Sequence, residues 1–254
     1  SVEQERFITV SVHKKNVDEA RTFFSRVTGE VSSKLSRLNS SSNELDAAER
    51  LDVLRGFFRP EEAVLPFDLQ SAMRRGHNLK DTICPDSLEF HRDYFKMGSH
   101  YGRVLFLKDY ASYIKDSMIL ELTDLNRRMM LSIDMIPVPT DEAVREVENK
   151  LLGVETNVTN WQRRQNSNQN FSAVVPYDLE QQRKETREML DDLTTRDQRM
   201  LFAVVTLVHL ADSKEELDSD TETLQSIARK HLCQLAKLSF QQQDGLITAL
   251  PLGL

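Results

Sequence analysis

The feature that most restricts the fold is a pair of stripes at heptad-like spacing, the first of them wholly apolar, separated by one polar loop. Val144, Val147, Leu151, Val154, Val158 and Trp161 step by 3, 4, 3, 4, 3. That heptad-like period belongs to a helix packed lengthwise on another helix. A polar loop at residues 165–170 follows. Leu179, Gln182, Thr186, Met189 and Leu193 then step by 3, 4, 3, 4. The two stripes predict a long antiparallel helical hairpin over residues 144–193. Thr140-Asp141-Glu142 opens its first helix with a capping residue and acids at the positive end of the helix dipole. Gly153 lies inside that helix, costs about 1 kcal/mol relative to Ala, and marks an expected bend.

Elsewhere the period shortens to two. In FITVSV, residues 7–12, Ile8, Val10 and Val12 share one face, the pattern of a half-buried strand. Further strands are expected at 103–107, 129–136, 200–208 and 235–241. The run at 129–136 is so continuously apolar that it reads as covered on both faces; that at 200–208 reads as central. Asn16 caps an expected helix with Asp18 and Glu19 in its first turn and apolar Val17, Phe24, Val27, Val31, Leu35 and Leu38. Other helices are expected over 44–58, 112–125 and from 211 onward, the last with Leu224, Ile227, Ala228 and His231 facing inward. Residues 59–102 carry Pro60, Pro66, Pro85, Gly76, Gly98 and Gly102 and read as short helices and loops. Strand, helix and strand over 200–241 suggest a βαβ or split βαβ unit. The expected class is α/β, with α+β as its variant. It comprises a mixed sheet of five or six strands, packed helices and the long hairpin. Residues 1–254 form one domain that admits a subdivision near 97–102.

The search for chemistry is mostly negative. There is no G-x-x-x-x-G-K-[ST] and no G-x-G-x-x-G, so no backbone cradle for a phosphate. His77, Cys84, His91 and His100 cluster in sequence without a zinc spacing. His209, at the end of a buried strand, reads as a satisfied structural histidine. His231 and Cys233 are two apart and point in different directions. Asp191 and Asp192 lie among Lys184, Glu185 and Arg187 on a solvated helix face. Trp161, Arg163 and Arg164 are the candidate interaction residues: an aromatic with two guanidinium groups can clamp single-stranded nucleic acid, although they also mark a helix end. The net charge of −7 opposes a phosphate-coating surface. Cys84 and Cys233 are too few for a disulfide framework. The longest apolar run falls far short of the roughly 20 residues that span a bilayer. No catalytic, cofactor or metal residue emerges, which favours an interaction module. The alternatives are a metal-dependent small-molecule enzyme using residues 77–100, or a single-stranded nucleic-acid-binding module using Trp161, Arg163 and Arg164.

Several long strings point further. They are ERFITVSVHKK (5–15), ICPDSLEF (83–90), YGRVLFLKDYASYIKD (101–116) and MMLSIDMIPVPTDEAVREVENKLLGVETNVTNWQRRQN (129–166). AVVPYDLEQQR (173–183), DDLTTRDQRM (191–200) and RKHLCQLAKLSFQQQDGLITALPLGL (229–254) complete the set. Together they resemble the N-terminal domain of conjugative-transfer (type IV secretion) ATPases of Gram-positive mobile elements, the VirB/TraE-like or CagE/TrbE/VirB family. The resemblance implies a non-catalytic scaffold and docking domain ahead of a RecA-like motor, expected after residue 254. ATP and Mg would belong to that motor. It further implies inner-membrane secretion proteins as partners, self-association of the parent protein, and a cytoplasmic location peripheral to the membrane's inner face. The Leu-Pro-Leu-Gly string at 250–253 resembles the family's junction into the motor, and no family catalytic residue has a matching position here.

Overall fold

A computed structural model describes residues 4–61, 68–76, 78–111, 113–170 and 173–252. The elements are α1 (Val17–Arg37), α2 (Ala47–Phe58), α3 (Leu69–Arg74), α4 (Leu79–Ile83), β1 (Leu88–Phe90), β2 (Phe95–Met97), β3 (His100–Asp109) and α5 (Asp116–Thr123). They continue with β4 (Met129–Pro137), α6 (Thr140–Ser167), α7 (Tyr177–Thr194), β5 (Leu201–Ala211), α8 (Lys214–Lys230), β6 (Gln234–Lys237) and α9 (Gln242–Ala249). The chain divides into two compact units, residues 1–132 with 205–254 and residues 133–204. The boundaries fall inside β4 and β5. Residues 97–102 form the turn and first pairs of the β2–β3 hairpin.

The fold class is α/β, with one six-stranded sheet among the described residues. Its order is β1-β2-β3-β5-β4, and β6 pairs with β3. Both β5 and β6 run antiparallel to β3. They are therefore parallel to each other, with β3 between them and α8 connecting them: the expected split βαβ unit. A second connection interleaves with it, since α5 joins β3 to β4 and β5 lies between those two strands. The sheet is antiparallel and not the mixed sheet expected: every registered pair of neighbours runs antiparallel, and the helical connections skip one strand so that β5 and β6 are parallel without pairing.

Strand periodicity sorts the core of this unit into two layers. Leu105, Leu107, Val205, Leu207 and Leu235 pack with Met118 and Leu122 of α5 and Leu224 and Ala228 of α8. The alternate residues Val104, Val208 and Leu210 pack with Phe95, Met97, Leu246 and Ala249. Two close approaches fix the second layer. At Gly102 a Cβ would lie 2.1 Å from the Phe95 ring, and at Gly245 it would lie 2.2 Å from Leu238. The buried Gln242 fills the gap between β2 and β6 along β3. It accepts from Val104 N at 2.8 Å and donates to Val104 O at 3.2 Å and Leu238 O at 2.8 Å. The side-chain amide satisfies Val104 N and shares Val104 O with Leu238 N, which donates to it at 3.3 Å just past the end of β6.

In the second unit α6 and α7 form the expected hairpin. Ala143, Val147 and Leu193 make its base with Val138, Val144, Leu190 and Met200. Val154, Val158 and Thr186 are buried further along. Glu155 of α6 receives Arg187 of α7 at 2.5 Å and Arg183 at 4.0 Å. The stripe differs in detail. Gln182 and Met189 are exposed, and Leu190 takes an inner place. The residue before α6 is Pro139, with no side-chain cap, while the Thr140 hydroxyl accepts from Arg199. The helix runs 28 residues through Gly153 without a break.

Other expectations are corrected. Residues 7–12 belong to no strand, and Phe7, Ile8 and Val10 are exposed. Alternation predicts a face to bury, but a strand also needs a neighbouring strand. β4 is not covered on both faces: it ends the sheet order, and Ile133, Met135 and Ile136 are exposed. Residues 59–102 also contain the short strands β1 and β2. The final strand stops at Lys237, and the apolar end of the chain instead makes α9, with Leu246 and Ala249 buried. Arg50 donates to Pro251 O at 3.2 Å; Gly253 and Leu254 lie outside the described residues.

Candidate functional site

The densest polar arrangement lies where Arg103 of β3 pairs with His209 of β5. Both side chains have no exposed surface. A buried guanidinium is costly unless its charge and its donors are matched. Arg103 meets both demands. Its Nε donates to Asp93 O at 2.8 Å, and its Nη1 donates to Thr221 Oγ1 at 2.8 Å. Its Nη2 meets Asp218 Oδ1 at 2.8 Å and Asp93 Oδ2 at 3.4 Å. Lys214 adds a 3.1 Å bond to Asp218, and Lys237 lies 3.7 Å from Asp93. Burial pushes the Asp218 pKa up, but the Arg103 and Lys214 contacts outweigh it and hold the carboxyl below its usual value.

The proton inventory defines His209. Thr221 Oγ1 donates its only hydrogen to Leu217 O at 2.7 Å. Its 3.1 Å contact with His209 Nε2 therefore requires that nitrogen to donate. Nδ1 is then the bare nitrogen, and no described residue bonds to it. Burial, reinforced by the Arg103 charge, lowers the His209 pKa from 6.5 to about 4. The expected satisfied histidine is thus satisfied at one nitrogen only. Chemically the group is a clamp. The Thr221 proton is committed to the backbone and is not offered to a base. The Arg103 charge is spent on two carboxylates. Sequence reasoning missed this network because its members are 93, 103, 209, 218 and 221, with no local spacing to reveal them.

Of the residues singled out from sequence, His209 belongs to this network. Trp161 is half-buried, and Arg163 and Arg164 are exposed in the last turns of α6. Residues 133–204 hold 13 acidic against 9 basic side chains, so the two arginines do not sit in a basic unit. His77 is outside the described residues. Cys84 is exposed and free, His91 stacks on Tyr94 at 4.4 Å, and His100 Nδ1 contacts Asp212 at 3.0 Å. Among the described residues no three His, Cys, Asp or Glu side chains gather as a metal group. His231 caps α8 and lies 3.2 Å from Glu121, while Cys233 is buried and free. Asp192 pairs with Arg196 at 2.7 Å on an open helix face.

No family model matches the chain, and no curated protein matches it. No described helix is long and apolar enough to cross a membrane.

Proposed function

We propose that this chain is the non-catalytic N-terminal scaffold and docking domain of a conjugation (type IV secretion) ATPase. In this reading it links a motor, which holds ATP and Mg, to inner-membrane channel components and neighbouring subunits. Its place is the cytoplasmic side, peripheral to the membrane. The observation that carries the reading is the run of long strings resembling that family across most of the chain. The architecture agrees in kind: its most buried polar groups are spent on one another, and a hairpin with a 28-residue helix offers a long contact surface.

Two measurements test it. The purified chain is expected to show no ATP turnover, and co-expressed inner-membrane secretion proteins are expected to co-purify with it. Shortening the hairpin by removing residues 158–180 is expected to abolish that capture while the β3–β5 body keeps its fold. Measurable ATP turnover overturns the non-catalytic reading; capture that survives the deletion overturns the hairpin as the docking element.

A further inference from the structure

Helix α1 carries a stripe as regular as that of α6, and nothing described answers it. Val17, Ala20, Phe24, Val27, Val31, Lys34 and Leu38 step by 3, 4, 3, 4, 3, 4. The helix is 21 residues long and has no buried residue. Val17 is 66 % exposed and Leu38, its C-cap, is 73 % exposed. No described element packs along it. Yet its ends are built to hold. Asn16 Oδ1 accepts from Glu19 N at 2.9 Å, and at the other end Leu38 N donates to Leu35 O at 2.9 Å and Asn39 N to Ser36 O at 3.1 Å. A capped, solvent-facing helix with a heptad stripe is one half of a coiled coil.

Its charges name the other half. The first turn carries Asp18 and Glu19, and the last turn carries Lys34 and Arg37. A parallel copy would set acids on acids, bases on bases, and Lys34 on Lys34 at an inner position. An antiparallel copy sets each acidic end on a basic end, twice by symmetry. With Phe24 against Val27 of the second copy at the centre, Lys34 meets Val17 of that copy and reaches its Asp18. We propose that α1 is a self-association helix that pairs antiparallel with α1 of a second copy of this chain. The seam is about 30 Å long at 1.5 Å rise per residue, and the closed two-fold contact leaves no open end to propagate. This inference stands on α1 alone and not on the secretion reading, so a monomeric chain would leave that reading untouched.

Sedimentation equilibrium of the whole chain tests it. The expected result is a concentration-dependent dimer. Val27→Glu is expected to yield monomer with an unchanged melting curve, because Val27 supports no core. Lys34→Glu is expected to weaken the dimer at least tenfold, and adding Asp18→Lys is expected to restore it. In a Cys84→Ser background, mixed Val17→Cys and Lys34→Cys chains are expected to form the disulfide, and Val17→Cys alone is not. A monomer at the highest soluble concentration overturns the proposal, as does a dimer that survives Val27→Glu. A Val17→Cys self-link shows parallel pairing and overturns it as well.

Discussion

Helices α1 and α6 are written in the same code and meet different fates. Each repeats apolar residues at steps of three and four, and each carries acids in its first turn. In α6 the stripe is answered within the chain: Ala143, Val147, Val154 and Val158 are buried, and α7 lies along them. In α1 no residue is buried. Periodicity therefore declares that a face exists to be covered; it does not say by what. The cover for α6 stands a few residues downstream, beyond a polar loop. The nearest apolar period to α1 is the segment 7–12, which belongs to no strand and leaves Phe7, Ile8 and Val10 exposed.

Substitution separates the two cases most sharply at the stripe itself. Val147→Asp buries a carboxylate in the hairpin base and is expected to cost about 3 kcal/mol or more, read as a lowered urea midpoint. Val27→Asp in α1 is expected to leave that midpoint unmoved. Equal losses would break the contrast.

Acid sharpens it next. The hairpin unit contains no histidine, whereas the body buries His209 with its pKa lowered from 6.5 to about 4. The unfolded state binds the His209 proton first, so body stability is full above pH 6.5 and falls as pH drops toward 4. The loss approaches about 3 kcal/mol at the lower limit. Hydrogen exchange is expected to show β3 and β5 opening across that window while α6 and α7 hold. His209→Gln is expected to flatten the slope.

Smaller effects come from matched glycines. Added Cβ atoms at Gly153 and Gly29 would meet nothing within 4 Å. Gly153→Ala is expected to stabilise the hairpin by up to about 1 kcal/mol, seen as a raised melting temperature. Gly29→Ala is expected to raise helical circular dichroism in dilute solution without moving the melt. The least effect is expected from Asn16→Ala, which removes the α1 cap. It is expected to fray that helix at a cost of about 1 kcal/mol to α1 alone, visible as faster amide exchange at Glu19.

The legible parts share one property: their evidence is local. The hairpin, the Asn16 cap, strands β3 and β5 and the split βαβ connection all follow from spacing within one or two elements. The errors share the opposite property. Residues 7–12 and β4 have the right alternation or apolarity, but burial depends on which strands stand beside them. The helix α9 was hidden because LITALPLGL reads as apolar chain in any conformation. Its identity is set by Gly245 closing on Leu238 and Val104 and by Gln242 bonding β3. Trp161, Arg163 and Arg164 were legible as a helix end, and that is where they lie.

The sequence alone determined strands β3 and β5 and the hairpin helices by period, the start of α1 through Asn16, and the closure of α6 on α7. Those outcomes need only contacts near in the chain. Tertiary structure decided the rest: Arg103 lies 106 residues before His209, and they become a pair only when β3 and β5 align. Once aligned, the guanidinium had to find Asp93, Asp218 and Thr221 on two other segments. A buried charge without those partners would not be tolerated, and no local pattern in the chain records where they stand.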